Sequence, residues 1–367
     1  MLNTRFCERF SVELPLIQAG MAGNITTPEM VAAVSEAGGL GTLGAAYMQP
    51  DAIRQAIREI KRLTSKPFAV NLLLYPEVER PEVTPAFTEW LNGRRAAVGL
   101  PEWSGELPMT PDAIAERFRI LLEEEVPVFS FAFSLPGAFG EEARRAGMKL
   151  IGTATTLEEA LALQEAGVDA IVAQGGEAGG HRGTFHVGDQ GDGACIGTLP
   201  LVALLTEALP DMPIIAAGGI MDGRGMIAAL ALGADAVQLG TRFLACKESS
   251  AHPAYKARLL AARETDTAIT RAFSGRPARG VDNRFMQTQR EAGVSPLPFP
   301  VQNRLTGEIR AAAARQNDSE NMTLWAGQGV AMLREEESAA EIVAKLIREA
   351  ERAAARIALL CPGSSRR

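Results

Sequence analysis

Short apolar runs alternate with amphipathic helical patterns from near the N-terminus to about residue 250. This alternation predicts an α/β protein whose βα units surround a parallel sheet. Eight units can be counted, and 367 residues suffice for one barrel with insertions. A glycine-rich turn carrying polar side chains follows the sixth apolar run, where a barrel of this type places its chemistry. The sequence therefore predicts a TIM (β/α)8 barrel with a loop insertion and a C-terminal appended lid and helical segment.

The strands are predicted from the apolar runs, and the helices from capping residues between them. The predicted strands are residues 14–19, 40–43, 68–72, 126–133, 149–152, 169–173, 213–217 and 236–239. Helices are expected to start at Thr27-Pro28 and Thr110-Pro111-Asp112, where proline can occupy the first turn. The residues Thr156 to Glu159 form a capping box.

Two segments depart from the repeating pattern, and they set the expected domain organisation. Residues 75–110 contain many prolines and glycines and two tryptophans, which indicates an insertion in a βα loop. The barrel with this insertion is predicted to span residues 1–250, followed by an appended lid segment at 251–367. Near its end, Ser338 and Glu341 cap a long helix that we expect to pack back on the barrel. Its apolar face is Ile342, Leu346, Ala350, Ala353 and Ile357.

Composition excludes several classes of partner. The formal charge is −7, which disfavours nucleic acid and anionic membranes as general partners. No signal peptide and no run of about 18 apolar residues is present, so a cytoplasmic protein is expected. The four cysteines are scattered without a C-x-x-C pair, which favours a reducing compartment and no metal site. The oligomeric state is left open between monomer and homodimer.

The glycine-rich turn at residues 174–183 is the main candidate site. It contains Gln174, Gly179, Gly180 and His181 after a buried strand. A histidine can transfer protons near neutral pH, so His181 is the candidate catalytic residue. A single histidine is more often structural, but no apolar periodicity predicts burial of this one. His186 and His252 lie outside the predicted site and are weaker candidates.

Polar amides also end predicted strands. Asn71 follows the third strand and Gln174 the sixth, and either amide could hydrogen-bond a flat heterocycle at the barrel mouth. Equally, each amide could bind loop backbone. The turn after the first strand, Met21-Ala22-Gly23, could bring backbone under the same ligand.

Glycine-bearing loops follow the last two predicted strands. They contain Gly218 and Gly219 in one loop and Gln238, Leu239, Gly240 and Thr241 in the other. Barrels commonly bind phosphate at these two positions through backbone N–H groups. The alternative is that these glycines only permit tight turns.

The segment 39–44 matches G-x-G-x-x-G, but its glycines lie in or at the end of a strand and no helix starts on the third. We expect these glycines to serve close packing rather than to bind a dinucleotide.

A basic segment at residues 270–280 contains Arg271, Arg276 and Arg279. It could be a solvated loop paired with acidic helices, or a lid that helps to hold an anionic substrate or phosphate. The turn Trp325-Ala-Gly327-Gln-Gly329 is likewise either a second lid element or a tight turn.

Taken together, these segments closely resemble the nitronate monooxygenases, formerly called 2-nitropropane dioxygenases. The resemblance extends over nearly the whole chain and rests on residues 20–23, 27–29, 152–156, 174–183, 217–224, 238–241 and 326–329. The run Glu-Ala-Gly-Gly-His-Arg-Gly at 177–183 is its most specific part, because the glycine loops alone would suit other flavin barrels.

The resemblance implies a barrel holding non-covalent FMN that oxidises alkyl nitronates, such as propionate 3-nitronate, with O2 to a carbonyl compound and nitrite. It implies that His181 is catalytic, that Asn71, Gln174 and Gly179 surround the flavin, and that Gly218 with residues 238–241 surrounds its phosphate. The expected substrates are thus a small nitronate and O2, with no nucleic acid or membrane partner.

Two alternatives remain open from the sequence. A flavin-dependent enoyl-acyl-carrier-protein reductase shares the barrel, the FMN site and a histidine in a similar loop, and would need NAD(P)H. A flavin-binding barrel without turnover is the other alternative, which His181 at the barrel mouth argues against.

Overall fold

The computed structural model describes residues 2–188 and 191–360. Within them the strands are β1 (Leu16–Gln18), β2 (Gly41–Gly44), β3 (Phe68–Leu73), β4 (Val128–Ala132), β5 (Lys149–Ala154), β6 (Ala170–Gln174), β7 (Gly180–His181), β8 (Ile214–Ala217), β9 (Ala236–Leu239), β10 (Thr267–Thr270) and β11 (Ala278–Val281). Eight parallel strands pair in the order β1-β9-β8-β6-β5-β4-β3-β2. A parallel bridge between Ile17 and Leu40 links the two edges of this sheet. The predicted TIM barrel is confirmed, and each predicted barrel strand overlaps an observed one.

Helices surround the barrel and also occur in the segments outside the βα repeat. They are α1 (Arg5–Phe10), α2 (Pro28–Glu36), α3 (Pro50–Leu63), α4 (Pro85–Ala97), α5 (Ile114–Glu123), α6 (Gly137–Arg145), α7 (Leu157–Glu165), α8 (Thr198–Ala208), α9 (Gly223–Ala231), α10 (Thr241–Leu244), α11 (Pro253–Leu260), α12 (Arg284–Ala292), α13 (Val301–Leu305), α14 (Gly307–Arg315), α15 (Ala339–Leu360) and a 3₁₀ helix (Gln328–Met332). None of the helices in the described ranges is both long and apolar enough to cross a bilayer.

Capping residues start several helices where the sequence predicts them. The hydroxyl of Thr27 accepts a hydrogen bond from the Met30 amide, and that of Thr156 from the Glu159 amide. The predicted start at Thr110 is wrong, because α5 begins at Ile114 without a side-chain cap. Asp112 instead accepts hydrogen bonds from Tyr75 and Arg117, so its carboxylate ties the insertion to α5.

The barrel interior is filled by small and branched side chains. Ile17, Ala69, Val172 and other strand residues form this interior cluster, and Phe6 and Phe10 of α1 join it. These two phenylalanines stack on each other at 4.6 Å, so α1 closes one end of the barrel. A second, larger apolar cluster lies between the strands and the surrounding helices. Both clusters hold the strand ends in fixed positions around the barrel mouth.

A third apolar cluster joins the insertion to the appended segment. We refer to residues 75–110 and 251–333 together as the cap. Phe87 and Trp90 of α4 pack there with residues of α11 to α14, and the Trp90 and Phe285 rings lie 5.4 Å apart. The cap also contains an antiparallel sheet in the order β10-β11-β7, whose third strand comes from the barrel loop that carries His181.

The C-terminal helix packs against the outside of the barrel. Helix α15 contacts α9 and α2, and Ile342, Leu346 and Ala350 are buried against the barrel helices. A Cβ on Gly223 would lie 2.1 Å from the Ala350 amide nitrogen, so this glycine permits the close approach. The predicted apolar face is too long, because Ile357 is 45% exposed.

Candidate functional site

A cavity of about 210 Å³ lies at the carboxyl ends of the barrel strands. The barrel supplies most of its wall, and the cap supplies Tyr255, Trp325, Gly327 and Gly329. The predicted site residues on the wall are Met21, Ala22, Asn71, Gln174, Gly179, Gly180, His181, Gly218, Gly219, Gln238, Gly240 and Thr241. Gly23 is exposed and Leu239 is buried in the sheet, and neither is on the wall.

His181 is held by both its backbone and its ring. His181 pairs with Ala278 in the antiparallel ladder between β7 and β11. Its Nε2 lies 2.8 Å from the hydroxyl oxygen of Ser274. The imidazole is surrounded by aromatic rings, with centroid distances of 5.4 Å to Trp325, 5.7 Å to Phe133 and 6.1 Å to Phe299. These contacts fix the ring at the cavity wall.

The same surroundings keep the imidazole neutral. Burial, reinforced by the positive charges of Arg276 and Arg310, lowers the pKa of His181 from its ordinary value to about 3. A neutral imidazole retains one nitrogen lone pair, so His181 can accept a proton throughout the neutral pH range. The ring is therefore not a resident cation, and it becomes an effective base only where a bound anion raises this pKa toward neutrality.

The two predicted amides behave differently. The Gln174 amide bridges the histidine loop, because its nitrogen donates to the His181 carbonyl at 3.1 Å and its oxygen accepts from the Gly183 amide at 2.8 Å. The Asn71 nitrogen donates to the Ser130 hydroxyl at 3.0 Å, and its oxygen accepts no bond in the described ranges. Gln174 thus shapes the loop, whereas Asn71 keeps an acceptor available at the cavity wall.

Arg182 anchors the loop from beneath. It is fully buried, and its guanidinium donates to the carbonyls of Gln174, Gly175 and Ala194 at 2.7–3.2 Å. These contacts join the end of β6 to the chain ahead of α8. Because these carbonyl oxygens accept hydrogen bonds from the buried guanidinium, the position of the adjacent His181 depends on Arg182.

The basic segment lies against the histidine loop and not in solvent. Arg276 places its guanidinium carbon 4.0 Å from the centre of the Phe133 ring and donates to the Thr184 carbonyl. Arg279 lies in β11 and donates to the Gly176 carbonyl at 3.0 Å. None of the segment's arginines pairs with a carboxylate in the part of the chain described. The interpretation as a loop paired with acidic helices is therefore wrong.

The loops after β8 and β9 present free backbone donors to the cavity. Within the described ranges, the N–H groups of Gly219, Gly240 and Thr241 donate to no protein acceptor. Gly218 has φ +120°, and a Cβ there would lie 2.8 Å from the Thr198 hydroxyl oxygen. Converging N–H groups with a glycine backbone form a cradle suited to an anion such as phosphate.

The glycines at 39–44 serve packing, as the sequence predicts. A Cβ on Gly41 would lie 2.1 Å from the Val31 carbonyl oxygen, and one on Gly44 would lie 2.4 Å from the Met21 carbonyl carbon. Close contact between β2, α2 and the loop after β1 thus excludes any side chain at these positions.

The other two histidines lie where they cannot share the role of His181. His186 is exposed, and the Nδ1 of His252 accepts from the Ala254 amide at the start of α11.

Sequence reasoning missed several side chains around the cavity. Ser274, Tyr47, Tyr255 and Phe133 contact His181 or line the wall. The phenol of Tyr47 is buried without a hydrogen-bond partner in the described ranges, and burial raises its pKa to about 12. Only Ser274 has a usable sequence signal, because it lies in the basic segment for which a lid is one of the two interpretations.

These features define an α/β-barrel enzyme with a ligand cavity at the strand ends, an anion cradle and one neutral imidazole. The chain belongs to the nitronate monooxygenase family, whose model matches residues 3–349. It is 41% identical to a probable nitronate monooxygenase of Bacillus subtilis over 94% of this chain and 98% of that protein. The family consists of flavin-dependent oxidoreductases.

Two solved structures are similar to this chain. One is a nitroalkane oxidase from Streptomyces ansochromogenes, with TM-score 0.87 and 41% identity over 96% of this chain and 99% of the other. FabK from Thermotoga maritima has TM-score 0.78 and 31% identity over 98% of this chain and 100% of the other. Both matches extend over the barrel and the cap together.

Proposed function

We propose that this protein is an FMN-dependent monooxygenase that oxidises alkyl nitronates, such as propionate 3-nitronate, with O2 to a carbonyl compound and nitrite. The observation that carries the proposal is a neutral imidazole on the cavity wall beside two guanidiniums without carboxylate partners in the described ranges. Such a site favours an anionic substrate and can also take a proton from a neutral one. Family membership supports the same reaction class.

The residues that line the cavity fit FMN. The N–H groups of Gly219, Gly240 and Thr241, with Gln238 on the same wall, would hold its phosphate, and the amide of Asn71 would contact its flat ring system. When bound there, FMN would supply the oxidation of the nitronate carbon. The protein supplies binding, orientation and a site enclosed by the cap.

Positive charge near the cavity supports an anionic substrate. Arg276 and Arg310 both lower the pKa of His181, which means that their field reaches the ring. Their hydrogen bonds go to Thr184, Thr306 and Asn303, so no carboxylate cancels their charge in the described part of the chain. A nitronate that also carries a carboxylate would gain most from this field.

The role of His181 would depend on the substrate. Toward a nitronate, which has already lost its α-proton, the neutral ring only packs at the cavity wall, and the positive field of Arg276 and Arg310 attracts the anion. Toward a neutral nitroalkane the ring acts as the base, because a neutral imidazole can accept the α-proton. His181→Asn should therefore reduce oxidation of neutral nitroalkanes by about 100-fold or more and oxidation of nitronates much less.

The deciding experiment mixes the purified, flavin-loaded protein with propionate 3-nitronate in air and follows O2 uptake and nitrite without nicotinamide. We expect rapid uptake with nitrite release. His181→Asn and a matched control, exposed His186→Asn, are assayed with nitronate and with neutral nitroalkane. Consumption of NADH with a crotonyl thioester, without nitronate turnover, would replace the proposal with the enoyl reductase. Bound flavin with neither activity would favour the non-catalytic barrel.

A further inference from the structure

Ser274 is a fully buried residue of the cap that contacts the candidate catalytic histidine. It is 1% exposed and lies in the turn between β10 and β11. Its hydroxyl oxygen is 2.8 Å from His181 Nε2, 3.1 Å from the Arg276 carbonyl oxygen and 3.3 Å from the Arg276 amide nitrogen. Three polar groups therefore compete for one hydroxyl with a single hydrogen.

The chemistry of these groups decides where the hydrogens lie. A carbonyl oxygen can only accept, so the contact with the Arg276 carbonyl is a hydrogen bond only when the Ser274 hydroxyl hydrogen points to it. The Arg276 amide can only donate, and it donates to the hydroxyl oxygen. All three contacts are then satisfied when His181 Nε2 also carries a hydrogen and donates it to Ser274. In the opposite tautomer the serine would have to donate twice.

The other ring nitrogen remains available. His181 Nδ1 makes no hydrogen bond within the described ranges, and this atom keeps some accessible surface. His181 itself lines the cavity. With hydrogen on Nε2, the lone pair of Nδ1 is the proton acceptor on the cavity side.

The serine is held rigidly enough to enforce this choice. The following residue, Gly275, has φ +86°, and a Cβ there would lie 2.2 Å from the Leu297 carbonyl oxygen. The turn therefore fits closely under the chain that leads to α13. The same hairpin holds the histidine backbone through the pair Ala278 and His181. Backbone and ring of His181 are thus fixed by one element of the cap.

We propose that Ser274 is a positioning residue that holds His181 in the tautomer with hydrogen on Nε2, which directs the basic Nδ1 to the substrate. The proton-transfer consequence rests on the proposed nitroalkane and nitronate chemistry, whereas the tautomer does not. In the step itself, the α C–H bond of a neutral nitroalkane breaks, its proton goes to Nδ1, and its electron pair stays on the substrate as the nitronate.

The tautomer is tested by nitrogen NMR of the flavin-loaded protein labelled with ¹⁵N-histidine. The chain has three histidines, and the exposed His186 and the helix-capping His252 are assigned by His186→Asn and His252→Asn. We expect the remaining ring to carry hydrogen on Nε2, with Nδ1 unprotonated from pH 8 to pH 5. Hydrogen on Nδ1 in the wild-type protein would overturn the proposal without any variant at Ser274.

Kinetics of Ser274→Ala test the consequence. We expect kcat for a neutral nitroalkane to fall about 10–100-fold, with KM changed less than about threefold and nitronate oxidation affected less. Ser274→Thr keeps the hydroxyl and should retain most of the rate. The matched control is Ser249→Ala, because Ser249 is also buried and accepts from the amide two residues later, Ala251 at 3.2 Å, but does not touch His181.

Failure of this inference is distinguishable from failure of the proposed function. If the wild-type protein oxidises no nitronate, the proposed function fails, and the NMR result still decides the tautomer. If nitronates are oxidised but Ser274→Ala has the nitroalkane kcat and the ring spectrum of wild type, Ser274 has no positioning role.

Discussion

The barrel and the cap contribute different things to one cavity. The barrel gives mostly backbone and small polar groups, such as Gly218, Gly240 and Asn71. The cap gives the side chains that control His181, namely Ser274, Arg276 and Trp325. The two parts also have largely separate apolar clusters. The barrel therefore builds a binding surface, whereas the cap determines the state of the reactive ring.

The largest expected effect comes from the buried arginine that anchors the histidine loop within the barrel. Arg182→Met should lower the free energy of unfolding by about 3–5 kcal/mol, because it leaves the carbonyls of Gln174, Gly175 and Ala194 buried without their donor. Urea titration measures the change. Arg352→Met, on the exposed side of α15, is the control and should change stability by less than about 0.5 kcal/mol. Equal effects of the two substitutions would contradict the anchoring role.

Matched core substitutions test whether the two apolar clusters unfold separately. Phe285→Ala in the cap and Phe129→Ala in the barrel should each cost about 3–4 kcal/mol, since both rings are fully buried. All three tryptophans of the chain belong to the cap, so their fluorescence reports cap unfolding, and far-UV circular dichroism reports the whole protein.

We expect Phe285→Ala to shift the fluorescence transition to lower urea than the dichroism transition, and Phe129→Ala to shift both equally. Coincident transitions in Phe285→Ala would mean that barrel and cap form one cooperative unit.

The cap's control of His181 predicts a pH dependence of stability. The pKa of His181 is about 3 in the folded protein, and the pKa of a histidine in an unfolded chain is about 6.5. Between these two pH values the unfolded chain therefore binds more protons than the folded protein. Stability is therefore lost as the pH falls through this window, by about 1.4 kcal/mol per pH unit. His181→Gln should remove this component, and exposed His186→Gln should not. Parallel stability curves for wild type and His181→Gln, measured in urea from pH 7 to pH 4.5, would refute it.

The smallest expected effect concerns the field of the cap on the substrate. Arg276→Gln removes one positive charge near His181, so KM for propionate 3-nitronate should rise about threefold and the pKa of His181 should rise. The control is Arg271→Gln, which removes a charge from the same segment. In the wild-type protein the Arg271 side chain donates to the Gly275 carbonyl. Steady-state kinetics at low and moderate salt compare the two variants. If Arg271→Gln changed KM as much as Arg276→Gln does, the effect would depend only on the net charge of the protein.

The barrel could be predicted from sequence because its signals are local. Each strand is a short apolar run, and caps such as Thr27 and Thr156 mark the helices between them. The order of parallel strands then follows from chain order, so polar residues at strand ends converge on one mouth. Asn71, His181 and Gly218 were located by this reasoning alone.

The cap could not be predicted in the same way, because its structure depends on contacts between distant segments. Strand β7 is two residues long and pairs with β11, and the basic segment shows no alternating pattern that would predict a strand. The contact of Ser274 with His181 depends on that pairing. Likewise, Tyr47 is a loop residue that packs against the small apolar cluster containing Phe299 of the cap.

The pairing of His181 with Ala278 can form only late in synthesis on the ribosome, because Ala278 follows the whole barrel in the chain. The chain emerges from its N-terminus, so all eight barrel strands are complete before β10 and β11 exist. A nascent chain that has only reached α10 contains the residues of the glycine cradle but lacks both the strand that holds the histidine backbone and the serine that holds its ring. The residues of the anion cradle are thus synthesised before the hairpin that fixes the position of the reactive ring.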